Sequence, residues 1–359
     1  MKKLFILTLM VLLVGVLITG GCAESAPTPA PSPAPTPSPA PTPAPSEVIE
    51  LRLASHQPPV SPDMMLMAEW ANKIEEATNG GVKITIYAAA SLLGEKDLMS
   101  GVRAGLADIG EPIVTAHVEE MPLANFLHFP FLRLGDEEDS YRIWMALEDK
   151  FPEFQAEFKE FKRLIPRFQT STALHTTSNP VRVPEDLKGA KVMCWGPEMQ
   201  VMEAIDASPI FLEGAEWYTS METGLIEAIW LPHYAMVDLK MYPLTPYHTA
   251  FPAGAKYSPE WMIMNLDSWN KLPSDTQKVF DDLLPWLVES FLQQHKEATA
   301  AAIDAFEEAG QTIITPTPDE EDMWYNAALP VHEEYIANLQ ARGLPGQAIY
   351  DEMMRLAAQ

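Results

Sequence analysis

The chain is 359 residues long and carries 50 Asp and Glu against 24 Lys and Arg, a formal net charge of −26. Phosphate backbones are held by clustered basic side chains, so this balance excludes a nucleic-acid partner. Two cysteines in so long a chain exclude a disulfide framework, and the fold must hold by its core.

Lys2 and Lys3 precede an apolar run over residues 4–18 and a small-residue exit, Thr19-Gly20-Gly21-Cys22. A positive start, an apolar centre and a cleavage site are the order of an export signal, assigned to residues 1–22. Cys22 directly after two glycines looks like a bacterial lipobox, in which the cysteine is acylated and becomes the new N-terminus. Thr19 stands where an aliphatic residue is usual, which keeps simple secretion as the alternative. From Pro27 to Pro45 every odd position is proline. Fixed φ and missing amide donors predict an extended polyproline II tether over residues 23–47, about 3.1 Å per residue and roughly 60 Å in all. The globular part is placed at residues 48–359, long enough for a large core and more than one lobe.

Residues 48–54 have strand character, and residues 61–78 carry apolar side chains at helical spacing before Gly80-Gly81. Residues 82–87 form a second strand, followed by a helix at about 95–104 and a strand around 108–110. Acidic helices fill the stretch between residues 136 and 161. The alternation then resumes with strand 190–195, helix 197–205, strand 209–212, helix 215–223 and strand 227–231. This order predicts an α/β fold with mostly parallel sheets, and two βαβ sets separated by a helical connector predict two lobes around a cleft. Lobe I is placed at about 48–165 with returning segments, lobe II at about 170–260. Ser274 and Gln277 have the spacing of a capping box and open a helical pattern reaching about residue 309. Interrupted only by Pro285, such a helix covers roughly 50 Å and runs along both lobes.

No G-x-S-x-G, H-E-x-x-H, P-loop or G-x-G-x-x-G motif occurs. The eight histidines lack metal-ligand spacing, and Cys194 in an apolar strand reads as an inert thiol. No metal or cofactor is implied. Aromatic residues do recur at strand ends: Trp195 before Gly196-Pro197, Trp217-Tyr218 at a helix start, and Trp230 before Pro232-His233-Tyr234. Open α/β sheets bind ligands beyond the carboxyl ends of their strands, so Trp195 and Trp230 are expected to face the cleft, with core packing as the alternative for either ring.

Four segments stand in a specific order: Ser91-Leu92-Leu93-Gly94-Glu95 with Val102-Arg103-Ala104-Gly105-Leu106-Ala107-Asp108; Pro184-Glu185-Asp186-Leu187-Lys188-Gly189-Ala190-Lys191-Val192; Glu216-Trp217-Tyr218 through Glu222-Thr223-Gly224; and Asn265-Leu266-Asp267-Ser268-Trp269 with Leu272-Pro273-Ser274. Together they resemble the solute-binding proteins of TRAP transporters, the dicarboxylate-binding, DctP-like type, over nearly all the chain from about residue 48. The resemblance implies a two-lobed, periplasmic-binding-protein-like fold with a long hinge-spanning helix, closing around a small organic solute. It implies membrane permease subunits as partner and an exported protein, lipid-anchored through Cys22 at the outer face of the cytoplasmic membrane or periplasmic.

Two positions depart from that family's pattern. Met193 stands where most members place the arginine that pairs with the ligand carboxylate, and the family's asparagine falls on Leu231. The bidentate clamp is missing, so a simple dicarboxylate is not the expected solute. Met193, Trp195, Trp230 and Leu231 are expected to make an apolar, aromatic site, with Glu213, Tyr234 and His175 beside it. Arg103 or Arg182 is a relocated clamp or a plain surface arginine. An aromatic wall beside acidic residues could instead hold a cation. A ligand-presenting sensor subunit would share the fold. An exported enzyme would need paired titratable groups, and Glu213, Glu227 and His175 show no recognisable spacing, so the chain is read as a receptor and not an enzyme.

Overall fold

The computed structural model describes residues 48–168, 170–255 and 259–359. The export signal, Cys22 and the proline tether lie outside the described residues.

Two sheets organise the chain. The first has the order β2-β1-β3-β10-β4, with β1 (Ile49–Ala54), β2 (Val82–Tyr87), β3 (Ile109–Gly110), β4 (Phe161–Phe168) and β10 (Pro259–Asn265). The second has the order β11-β9-β5-β8-β6-β7, with β5 (Ala173–Thr176), β6 (Lys191–Met193), β7 (Ser208–Ile210), β8 (Ala228–Leu231), β9 (Tyr247–Thr249) and β11 (Thr312–Ile314). β1 pairs β2 and β3 in parallel, and β6 pairs β7 and β8 in parallel, as two βαβ sets require. β11 also pairs β9 in parallel, so five of the nine pairings among the described residues are parallel and two strands make the sheets mixed. β10 runs antiparallel to β3 and β4, and β5 runs antiparallel to β8 and β9. These strands carry the chain from one sheet to the other and back, so each must reverse direction where it joins its new sheet.

Helices cover both faces. Lobe I contributes α1 (Pro62–Ala77), α2 (Leu98–Arg103), α3 (Pro122–Phe126), α4 (Glu137–Lys150) and α5 (Pro152–Glu157). Lobe II contributes α6 (Pro197–Ala204), α7 (Trp217–Glu222) and α8 (His233–Asp238). After α9 (Leu266–Lys271) come α10 (Ser274–Glu308), α11 (Pro318–Ala341) and α12 (Gly346–Ala357). α1 starts where the chemistry directs: Ser61 accepts from the Met64 amide, Pro62 takes the first turn and Asp63 faces the positive helix end.

α10 has 35 residues and keeps Pro285 inside it on an exposed position, where the lost amide bond leaves nothing buried unpaired. Its first half packs on α1, with Phe280 edge-on to Trp70, and its second half packs on α8. The capping box expected at Ser274 does not form. Pro273 occupies the cap position, Ser274 is already helical, and the Gln277 side chain donates to the Trp269 carbonyl instead.

Strand alternation divides the core. On β8, Ala228 and Trp230 point to one face of the second sheet while Ile229 and Leu231 point to the other, under α7, α8 and the end of α10. The Trp230 face is continuous with the lobe I layer of Trp144, Phe154 and Trp261, through Phe131, Phe251 and Trp324. Two lobes are thus tied by the crossing segments 170–173 and 249–255, by α10 along one side, and by one shared aromatic core.

Candidate ligand site

The carboxyl ends of the parallel strands of the two sheets meet. Ser55, His56 and Gln57 follow β1, Glu111 follows β3, and Trp195 and Gly196 follow β6. Gly196 has φ +62°, and a Cβ there would lie 3.6 Å from the His128 ring and 3.7 Å from Thr115. Backbone of one lobe therefore touches side chains of the other at this point, and a left-handed turn lets it do so.

A charged network lies where α1, β3, β4, β10 and α10 converge. Arg167 on β4 is 3% exposed and pairs with Asp63, Glu111 and Glu260, each nearly as buried, the Glu111 contact being 2.7 Å. Ser55 donates to the other Glu111 oxygen at 2.7 Å. His295 on α10 faces Asp63 through Nε2 at 3.0 Å and Glu137 through Nδ1 at 2.8 Å. Both ring nitrogens then donate, which is possible only for the imidazolium. Burial works against that charge, but the hydrogen bonds to Asp63 and Glu137 prevail and raise His295 to about 9. Burial also raises Asp63, yet Arg167 and His295 outweigh it and hold the carboxyl well below the usual range. Glu111 and Glu137 are raised, chiefly by burial.

From lobe II, Tyr234 at the start of α8 lies flat on the His295 ring, centroids 5.9 Å apart and planes 9° apart. Burial pushes its phenol up, with Asp63 adding to the effect. Trp195 and Trp217 stack with planes 1° apart and centroids 6.2 Å apart, and the Trp217 indole donates to the Leu212 carbonyl. Trp195, Trp217 and Tyr234 are partly buried and share the lobe II core edge. The aromatic and charged sides of this junction thus come from different lobes.

The other expected residues sit elsewhere. Trp230 is 2% exposed in the shared core, stacked on Phe251 and edge-on to Phe131 and Trp324, so its ring is a packing group. Met193 and Leu231 are sealed in the lobe II core. Glu213 is exposed and caps the turn before α7. His175 faces His248 across 2.6 Å between Nδ1 atoms while each Nε2 faces an oxygen, of Leu231 and Gln311, so the pair shares one proton at most. Arg103 is paired on the surface with Glu120 and Glu160, and Arg182 with Glu320. Arg182 also donates to the Thr315 carbonyl just after β11, and Arg103 lies over the Phe161 ring, so both are held by surface contacts away from β1, β3 and β6. Arg167 was missed by sequence reasoning because nothing local distinguishes it from the other charges in Lys162-Arg163-Leu164-Ile165-Pro166-Arg167.

The model of the family described as bacterial extracellular solute-binding protein, family 7, matches residues 53–338. The chain belongs to that family. Among curated family 7 relatives, the C4-dicarboxylate-binding periplasmic protein DctP of Rhodobacter capsulatus is 22% identical over 82% of this chain and 89% of its own length. A TRAP periplasmic solute binding protein from Desulfovibrio salexigens, crystallised as an open complex, superposes with a TM-score of 0.75 at 25% identity, over 86% of this chain and 95% of that one. A marine metagenome TRAP solute binding protein specific for aromatic acid ligands, in complex with metahydroxyphenylacetate, superposes with a TM-score of 0.77 at 21% identity, over 86% and 98%. As a TRAP solute-binding protein, this chain has the two α/β lobes and the long spanning helix that its sequence implied. Among the described residues no helix is long and apolar enough to cross a membrane.

Proposed function

We propose that this receptor closes its lobes on a ring-bearing or otherwise bulky organic solute with few charges, held at the lobe junction by Trp195, Trp217 and Tyr234, and passes it to TRAP permease subunits. Acylation of Cys22 would hold the receptor at the membrane with the proline tether as spacer. The observation that carries the solute reading is the charge arithmetic at the strand ends. The arginine near them, Arg167, is already engaged by three buried carboxylates. Met193 and Leu231 stand where the family resemblance expects a carboxylate clamp. A carboxylate solute brought there without a free cation would lose its hydration without recompense. The stacked indoles offer a flat apolar surface instead. The relative specific for aromatic acid ligands shows that the fold accommodates rings.

Calorimetry on stripped protein tests this. Succinate is expected to bind weakly or not at all, and 3-hydroxybenzyl alcohol, a ring without a carboxylate, to bind better. Submicromolar succinate would overturn the proposal. Trp217→Ala should weaken the ring-bearing probe by about tenfold, the scale of one lost aromatic contact. A solute at 100 times its Kd should raise stability by about 2.7 kcal/mol and lower the radius of gyration in solution scattering as the lobes close. An unchanged radius with solute bound would count against closure.

A further inference from the structure

A groove of about 1040 Å³ lies between α10, the start of α4 and the crossing segments 170–173 and 250–252. Trp195, Trp217 and Tyr234 are not among its lining residues, so it is separate from the junction where the solute is placed. Four polar side-chain atoms in its lining have no hydrogen-bond partner among the described residues: Thr170 Oγ1, Thr172 Oγ1, His233 Nδ1 and Thr299 Oγ1. Thr170, Thr172 and His233 are 9%, 3% and 5% exposed. Buried polar atoms are almost always paired, and these four, from a strand crossing, the start of α8 and the spanning helix, border one groove.

The charge of the lining is one-sided. Asp136, Glu137 and Glu138 at the start of α4 face Glu289 and Glu297 on α10, and Lys296 is the one basic residue in the lining. Glu137 is already answered by His295, and Glu297 accepts from Gln293, whereas Glu138 and Glu289 are exposed at the groove. Carboxylates at the rim and unpaired hydroxyls on the floor are what a protonated amine with further polar groups requires: ion pairing outside, hydrogen bonding within. An anion would meet repulsion at the rim.

We propose that this hinge groove is a second binding site and takes a small protonated amine. The site lies against both strand crossings and α10, the connections about which the lobes move. The experiment is calorimetry of stripped full-length protein with 1,4-diaminobutane and ethanolamine, and with succinate as the four-carbon anion. At least one amine should bind with one-to-one stoichiometry and weaken by about tenfold as salt rises from about 20 to about 300 mM, while succinate should not compete. Glu289→Gln, an exposed change that leaves folding intact, and Thr172→Val should each reduce amine affinity severalfold. Trp217→Ala, which belongs to the solute junction, should leave amine affinity unchanged. Absence of binding by both amines would overturn the proposal, as would affinity insensitive to both groove variants. Loss of amine binding in Trp217→Ala would place the amine at the junction and overturn it too. Failure of the ring-bearing solute to bind leaves these outcomes readable, because the two sites share no tested residue.

Discussion

Arg167→Met is expected to lower the stability of this protein by about 3–5 kcal/mol, the usual cost of stripping the cation from a buried ion network. The guanidinium joins α1 through Asp63, the end of β3 through Glu111 and β10 through Glu260, all in the same buried volume. Methionine fills a similar space, so the loss is electrostatic more than steric. Three carboxylates would remain with His295 as the nearby cation, and His295 touches only Asp63 among them. In the variant, Glu111 loses the charge that favours its ionisation, so its folded pKa rises further above the unfolded one. A raised carboxyl contributes stability below its unfolded value and loses it as pH rises. The deficit of the variant should therefore be largest near pH 7 and shrink toward pH 5. Urea unfolding midpoints of both proteins at the two values check this. A deficit under about 1 kcal/mol at pH 7 would mean that the network is reached by water and counts as a surface pair.

Elements whose pattern is local were legible in the sequence. β2 alternates Val82, Ile84 and Ile86 inward and ends at the observed residue, and α1 announces itself by Ser61-Pro62-Asp63. The antiparallel crossings were not legible. Phe161-Lys162-Arg163-Leu164-Ile165-Pro166-Arg167-Phe168 mixes charge, proline and apolar residues because β4 leaves one environment and enters another, so no single period holds along it. α11 and α12 close the shared core from the C-terminal side, and nothing in lobe-by-lobe reading calls for them. Site residues divide in the same way. The rule that ligands sit beyond strand ends was applied to Trp195 and Trp230, and Trp195 does follow β6 at the lobe junction. Trp230 lies one residue too early on β8, and strand alternation turns it to the opposite face, into the aromatic core. Arg167 and His295 meet Asp63 from 104 and 232 residues away, and such pairings carry no mark in one sequence.

Stability should pass through a maximum near pH 6.5 and fall on both sides for different reasons. On the acid side, burial holds His56, His233 and His332 at about 4, with Arg167 adding to the effect at His56 and His248 adding to it at His233. A histidine lowered from 6.5 stays neutral in the folded state while the unfolded chain takes up protons, so stability is lost between about 6.5 and about 4. Each such shift is worth up to about 3 kcal/mol. Glu157 opposes this: burial raises it to about 7 although the Leu123 and Ala124 amides donate to it, so it favours the folded state as pH falls from about 7 toward 4.5. Burial lowers His175 and His248 as well, and raises Glu111 and Glu137 alongside Glu157, so five histidines oppose three buried carboxyls and the acid limb is a net loss. On the alkaline side His295, raised to about 9, holds its proton in the folded state while the unfolded histidine has released it, so its contribution is complete below about 6.5 and gone above about 9. Denaturant midpoints at pH 4.5, 6.5 and 9 measure both limbs. His332→Gln, which retains a side-chain donor for the Pro130 carbonyl, should flatten the acid limb and leave the alkaline one. His295→Gln should do the reverse, at a cost in absolute stability because Asp63 and Glu137 then lose a shared cation. An alkaline limb that persists unchanged in His295→Gln would mean that the ion network does not titrate through this ring.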